Sequence, residues 1–117
     1  MKRFRFGWYG DGGLGETMIQ AVLSGRKSAT CSPAYDPEDA DLKAGDELQL
    51  VDKHGRERGR LVVVAVELRP YSKLDDALAR CEGVTLAELR EKLSFANGRD
   101  IRGDEEMRVV YFRVTRS

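Results

Sequence analysis

Lys27 and Thr30 stand three residues apart in the segment Gly25-Arg26-Lys27-Ser28-Ala29-Thr30. A threonine hydroxyl becomes a nucleophile only when a base takes its proton. A lysine amine is such a base once burial or a nearby cation brings its pKa well below the reference of ~10.4. Arg26 is a cation of that kind in sequence. Transfer of an acyl group from an amine needs a carboxylate too, which returns a proton to the leaving nitrogen. On an ideal strand Lys27 and Thr30 face opposite sides. Their cooperation therefore requires a turn or bulge, of the sort a glycine at position 25 permits. Gly25, Arg26 and Ser28 add exposed main chain, charge and a hydroxyl for holding a substrate.

The elements that must position this segment are short. Lys2 to Phe6 alternates, with Phe4 and Phe6 on one side and Arg3 and Arg5 on the other, and reads as a half-buried strand. After a glycine-rich loop, Gly10 to Gly15, the spacing of Leu14, Met18, Ala21 and Val22 predicts a helix that Gly25 stops. Lys27 to Ser32 reads as a strand, and Pro33 to Asp41 as a loop with an acidic run of Asp36, Glu38, Asp39 and Asp41. Leu48 and Leu50 mark another strand, Asp52 to Gly55 a turn. Arg60 to Leu68 reads as a central strand whose valines are buried on both faces. Pro70 ends it. Leu74, Ala77, Leu78 and Cys81 predict one face of a short helix. Thr85 and Glu88 have capping-box spacing, ahead of a stripe of Leu86, Leu89 and Leu93. A loop from Asn97 to Glu106 precedes a last strand, Met107 to Val114. Strands joined by hairpins, with helices inserted singly, predict α+β architecture on a small, partly closed barrel.

Other chemical signals are weaker. Gly10, Gly12 and Gly15 match a dinucleotide fingerprint, but that fingerprint belongs to a parallel βαβ sheet, and the later chain reads as antiparallel hairpins. The loop reads instead as a helix lead-in whose free N–H groups suit an anion. Trp8 and Tyr9, past the first strand and close to Arg3 and Arg5, suit stacking on a base. His54 reads as a solvated turn residue, and Cys31 and Cys81 as small buried side chains. With one His and two distant Cys, no zinc-ligand spacing exists; no metal and no cofactor are expected. The 117 residues make a single domain, spanning 1–117, with one modest core. Twenty basic and twenty acidic residues cancel, so a nucleic acid would have to be held by a local basic patch. No apolar run reaches the ~20 residues of a membrane helix. No signal peptide and only two cysteines predict a cytoplasmic protein with reduced thiols and no membrane partner.

The segment from Gly25 to Thr30 resembles the G-x-K-x-x-T motif of the ASCH domain. The resemblance extends to the Phe-Gly near the start, to Ala44-Gly45-Asp46-Glu47-Leu48, and to the helix ending in Cys81-Glu82-Gly83. It implies a PUA-like fold: a small β-barrel with peripheral helices. The chain is most similar to the short bacterial acetylcytidine amidohydrolases, whose Gly-Arg-Lys-Thr motif is matched except that Ser28 replaces the threonine. Their catalytic glutamate precedes a Thr-Leu-x-Glu-Leu helix start, as Glu82 precedes Thr85 to Leu89. The resemblance thus implies Lys27, Thr30 and Glu82 as the catalytic set. Lys27 would deprotonate Thr30 or a water that Thr30 holds; Glu82 would protonate the leaving amine or orient Lys27. Gly25, Arg26, Ser28, Trp8 and Tyr35 are the expected substrate contacts. The implied partner is a modified nucleoside or single-stranded RNA, and the alternatives to hydrolysis are a non-catalytic RNA-binding module and a ribonuclease. The stretch Trp8 to Gly15 and the acidic loop Cys31 to Asp41 depart from the short enzymes' pattern.

Overall fold

The computed structural model describes residues 1–116. Five strands and three helices run in the order β1 (Lys2–Arg5), α1 (Leu14–Leu23), β2 (Ala29–Pro33), β3 (Glu47–Val51), β4 (Glu57–Pro70), α2 (Asp76–Cys81), α3 (Leu86–Asn97) and β5 (Glu106–Arg116). The strands form one curled sheet ordered β1-β3-β4-β5-β2. β1 runs parallel to β3, and the other neighbours are antiparallel. The expected α+β half-barrel therefore forms. Its two edge strands, β1 and β2, are left facing a seam.

Two cores hold it. Phe4, Phe6, Leu48, Leu50, Leu61, Val63, Val110 and Phe112 pack on one face with Ile19 and Val22 of α1. Ala29, Cys31, Met107 and Val109 pack on the other with Leu78 and Ala79 of α2 and Leu89 and Leu93 of α3. Val109 and Val110 of β5 are adjacent and enter opposite cores, as strand alternation requires. Each fully buried Val, Leu, Ile or Phe side chain contributes about 1.5–3 kcal/mol, so both layers are needed to balance ordering so short a chain.

The long strand β4 departs from expectation. It is central, between β3 and β5, but it is not buried on both faces: Val64 is 54% exposed and Leu68 52%. The cause is a bulge. Val63 pairs with Phe112 and Ala65 with Tyr111, which leaves Val64 unmatched. An extra residue bends the strand and re-aims the side chains beyond it, so the outer half of β4 leaves the core. The short helix α2 also differs in phase. The Asp75 carboxylate caps it by accepting from the Leu78 N–H. That start turns Leu78 and Ala79 inward and leaves Ala77 exposed. The capping box of α3 forms as spaced: the Thr85 hydroxyl accepts from the Glu88 N–H, and the Glu88 carboxylate from the Thr85 N–H.

The glycine-rich loop carries its own anion. The buried Asp11 carboxylate accepts from the N–H groups of Trp8, Gly13 and Gly15. These bonds, led by that from Gly13, hold its pKa below the ordinary value against the opposing effect of burial. The amides at the start of α1 are thus occupied by the chain itself, which answers the anion-holding role that the glycines suggest. Gly15 has a separate reason to be glycine. A Cβ there would lie 2.3 Å from the Gly7 Cα, so the loop and the helix start cross in contact. Gly12 has open space around it and only a positive φ of 65°. Gly15→Ala should therefore destabilise by about 1–3 kcal/mol or more through backbone displacement. Gly12→Ala should cost about 1 kcal/mol for its left-handed conformation. Urea denaturation of the two variants checks the order.

Candidate functional site

Lys27 lies between α1 and β2, outside both. The last turn of α1 folds back on itself there: the Arg26 and Lys27 N–H groups both donate to the Ala21 carbonyl. Gly25, at φ 82°, makes that reversal possible. Lys27 is thus removed from strand alternation, and its side chain runs forward along β2. Its Nζ donates to the Ala29 carbonyl at 2.9 Å and to Glu82 Oε1 at 3.0 Å. It also sits 5.7 Å from the centre of the Phe6 ring.

Glu82 caps the C-terminal end of α2. Two contacts fix it against the Lys27 segment. The Ser28 N–H donates to the Cys81 carbonyl at 2.6 Å, with the Ser28 hydroxyl on the same oxygen at 3.4 Å. Gly83 comes next at φ 75°, and a Cβ there would come within 3.0 Å of the Arg26 carbonyl oxygen. A side chain at position 83 would push the two segments apart. The resulting ion pair is deeply buried, with Lys27 4% and Glu82 7% exposed. Glu82 Oε2 is buried as well and has no hydrogen-bond partner among the described residues. A buried carboxylate oxygen without a donor is costly.

Lys27, Thr30 and Glu82 line one cleft of about 540 Å³, which occupies the seam between β1 and β2. Thr30 pairs with Val110 of β5 and shares its face. It is half-buried, and no hydrogen bond joins its hydroxyl to Lys27 or Glu82. The cleft is polar at both margins. Arg3, Arg5, Lys53 and Lys92 contribute to its wall, as do Asp36, Glu38 and Asp39. Trp8 lines it too, with its ring 5.8 Å from that of Phe95 on α3.

The remaining expected contacts lie elsewhere. Gly25, Arg26, Ser28 and Tyr35 are not in the cleft wall. Arg26 is exposed and donates to the Ser24 hydroxyl. Ser28 ties the motif to Cys81. Tyr35 is exposed and accepts from Arg99, whose guanidinium stacks over its ring. His54, exposed in its turn, meets the Tyr9 hydroxyl at 3.4 Å. Sequence reasoning passed over Cys31, Asp39 and Lys92 as cleft residues. The i, i+4 spacing of Lys92 and Ala96 on the Leu89 and Leu93 side of α3 was the available signal for one of them. Burial, with the charge of Glu82 next, pushes the Cys31 thiol up to about 12, so it stays protonated and unreactive. Among the described residues no group of three His, Cys, Asp or Glu is arranged to hold a metal ion. No helix among them is long and apolar enough to cross a membrane.

An α+β half-barrel with helices on both faces and a buried polar pair in its seam is a PUA-like architecture. The ASCH domain family profile matches residues 6–115, and the chain belongs to that family. Two solved structures share the fold. An ASCH domain from Lactobacillus crispatus JV V101 superposes with a TM-score of 0.77 at 18% identity, over 99% of this chain and 81% of that one. A protein from Enterococcus faecalis V583 superposes with a TM-score of 0.75 at 24% identity, over 99% and 77%. At these identities the likeness is one of fold. No curated protein matches the chain.

Removing either member of the buried pair strands a charge. Lys27→Ala and Glu82→Ala should each lose about 3–5 kcal/mol. The double variant Lys27→Met/Glu82→Leu should recover most of that loss, because no charge is left to desolvate; denaturant midpoints of the three proteins test it.

Asp39 gives the site a pH dependence. Burial first, then the charges of Glu38 and Asp36, raise its carboxyl to about 6. The folded state therefore holds this proton more tightly than the unfolded chain, whose aspartates titrate near ~3.9. The stability it contributes is complete below that value and is lost as pH rises through about 6. Asp39→Asn should raise the melting temperature at about pH 8 and leave it unchanged at about pH 4, below the folded-state value.

Proposed function

We propose that this ASCH domain is an amidohydrolase that removes the acyl group from an acetylcytidine-like nucleoside. The observation that carries the reading is the unpartnered Glu82 Oε2, buried in the cleft beside a lysine that the same carboxylate already binds. The leaving exocyclic amine of such a substrate has an N–H that this oxygen can accept. The cleft volume, about 540 Å³, suits a single nucleoside better than a folded polymer.

The pair supplies the proton traffic in a closed cycle. The Lys27 ammonium hands a proton to Glu82 across their hydrogen bond. The neutral amine then takes the proton of the Thr30 hydroxyl, or of a water held by Thr30, as oxygen attacks the acyl carbon. The tetrahedral adduct collapses when the C–N bond breaks and Glu82 protonates the departing nitrogen. Lysine and glutamate are then again charged. If Thr30 is the attacking oxygen, water repeats the sequence on the ester. Trp8 shares the wall with Phe4, Phe6 and Tyr9, and as an exposed ring beside Phe95 it is suited to stacking on the base. Gly25 and Ser28 serve by holding the motif in place.

A binding role for single-stranded RNA is the second reading. It is favoured by Arg3, Arg5, Lys53 and Lys92 in the cleft wall beside the exposed Trp8. Purified protein should convert acetylcytidine to cytidine, monitored by chromatography, and Glu82→Gln should lower kcat by about 10²–10⁴-fold. No turnover above a Lys27→Ala control, together with RNA affinity that falls steeply with salt, would replace hydrolysis with binding.

A further inference from the structure

The hydrogen-bond register of β2 determines which main-chain groups face the seam. Ser28 accepts from the Phe112 N–H, and the Ala34 N–H donates to the Glu106 carbonyl. Between these points Thr30 pairs with Val110 and Ser32 with Arg108. In an antiparallel ladder every second residue directs both its N–H and its C=O to the partner strand, and the residues between direct theirs away. Ser28, Thr30, Ser32 and Ala34 therefore bond to β5. Ala29, Cys31 and Pro33 turn their main-chain groups outward, and β2 is an edge strand with no neighbour on that side. Two observations agree with this parity. The Ala29 carbonyl is the one that Lys27 Nζ reaches, and a proline, which has no N–H to offer β5, is tolerated at position 33.

The Ala29 C=O and the Cys31 N–H flank Thr30 and point the same way. Lys27 Nζ, seated on the first, is held next to the second. Of its three N–H bonds, two are engaged, with Ala29 and Glu82, leaving one among the described residues. The amide of Cys31 is the N–H immediately after the hydroxyl-bearing residue, with no partner in the sheet, and it borders the cleft.

We propose that the Cys31 main-chain N–H, supported by the third N–H of Lys27, is the oxyanion-binding donor of this site, receiving the acyl oxygen as Thr30 or its water attacks. This rests on the hydrolase reading above. Cys31 then contributes through its backbone, and its protonated thiol is a packing group in the α2–α3 core. A fixed main-chain donor beside the attacking oxygen needs no reorganisation during the reaction, which is why such groups act mainly on the rate and little on substrate binding.

The register also provides the test. Cys31→Pro deletes an outward N–H and leaves every β2–β5 hydrogen bond in place, and Cys31→Ala removes the thiol alone. With acetylcytidine as substrate, Cys31→Ala is the reference, since it loses the thiol and keeps the main-chain N–H. Cys31→Pro should lose about 10²–10³-fold in kcat relative to Cys31→Ala, with KM changed far less. Should the proline variant not fold, the wild-type Cys31 amide proton can be observed by NMR. Binding of cytidine carrying a methylphosphonamidate in place of its acetyl amide, a tetrahedral anion, should move that resonance downfield and slow its exchange. Equal kcat in the two variants, or a Cys31 amide indifferent to the phosphonamidate, overturns the oxyanion role and leaves the hydrolase standing. A wild-type protein inert toward acetylcytidine brings down both.

Discussion

The ion pair between Lys27 and Glu82 is the constraint around which this small domain is arranged. Two charges at 3.0 Å, both nearly sealed from water, carry a desolvation cost that good geometry only just offsets. The surrounding structure supplies that geometry. The Ala29 carbonyl takes a second lysine proton, the Phe6 ring presents its face to the ammonium, and Ser28 and Gly83 clamp the segments that bring the two side chains together. Two apolar side chains of equal volume would hold the same space at lower electrostatic cost. The pair is retained with one carboxylate oxygen unbonded among the described residues, and it is on this that the proposed hydrolase reading rests.

The seam is what makes a buried pair reachable. Curling a sheet brings its edge strands toward one another, and full closure would pair β1 with β2 and cover the site. Here the two edges are not paired, and contacts near their margins bridge them. Lys2, on β1, forms an ion pair with Asp41 beyond the end of β2, and Lys27, ahead of β2, meets Phe6, just past the end of β1. Open strand edges invite pairing with another chain. In this domain α3 and the Trp8 loop stand over the opening, so the same elements that shape the cleft shield the edges.

Much of this was legible in the residues. The alternation of Phe4 and Phe6, the Thr85–Glu88 capping box and the glycine after α1 each express a local rule, and local rules hold where the fold agrees with them. The Lys27 and Thr30 pairing could be suspected from type and spacing, with the need for a turn between them. What brought Glu82 into consideration was the motif resemblance, since nothing local links positions 27 and 82. The valine run of β4 misled because a single bulge at Val64 changes the face of everything after it, and a bulge is set by pairing with β5. Asp11 was overlooked for a related reason. Its three N–H partners are scattered through a loop whose path depends on the crossing of Gly7 and Gly15. The main-chain polarity of β2, too, became readable only with a register in hand.

The two charges that meet in the seam are separated by 55 positions along the chain. Closing a loop of that length costs roughly 3–4 kcal/mol of chain entropy before any contact is gained. Because protein synthesis proceeds from the N-terminus, the lysine is made well before its counterpart and remains hydrated until α2 is complete. Even then β2 has no ladder partner until β5, which follows both helices in the chain, pairs with it. The cleft is thus a late product of assembly: a nascent chain lacking β5 cannot present it, and its formation reports that the whole sheet has come together.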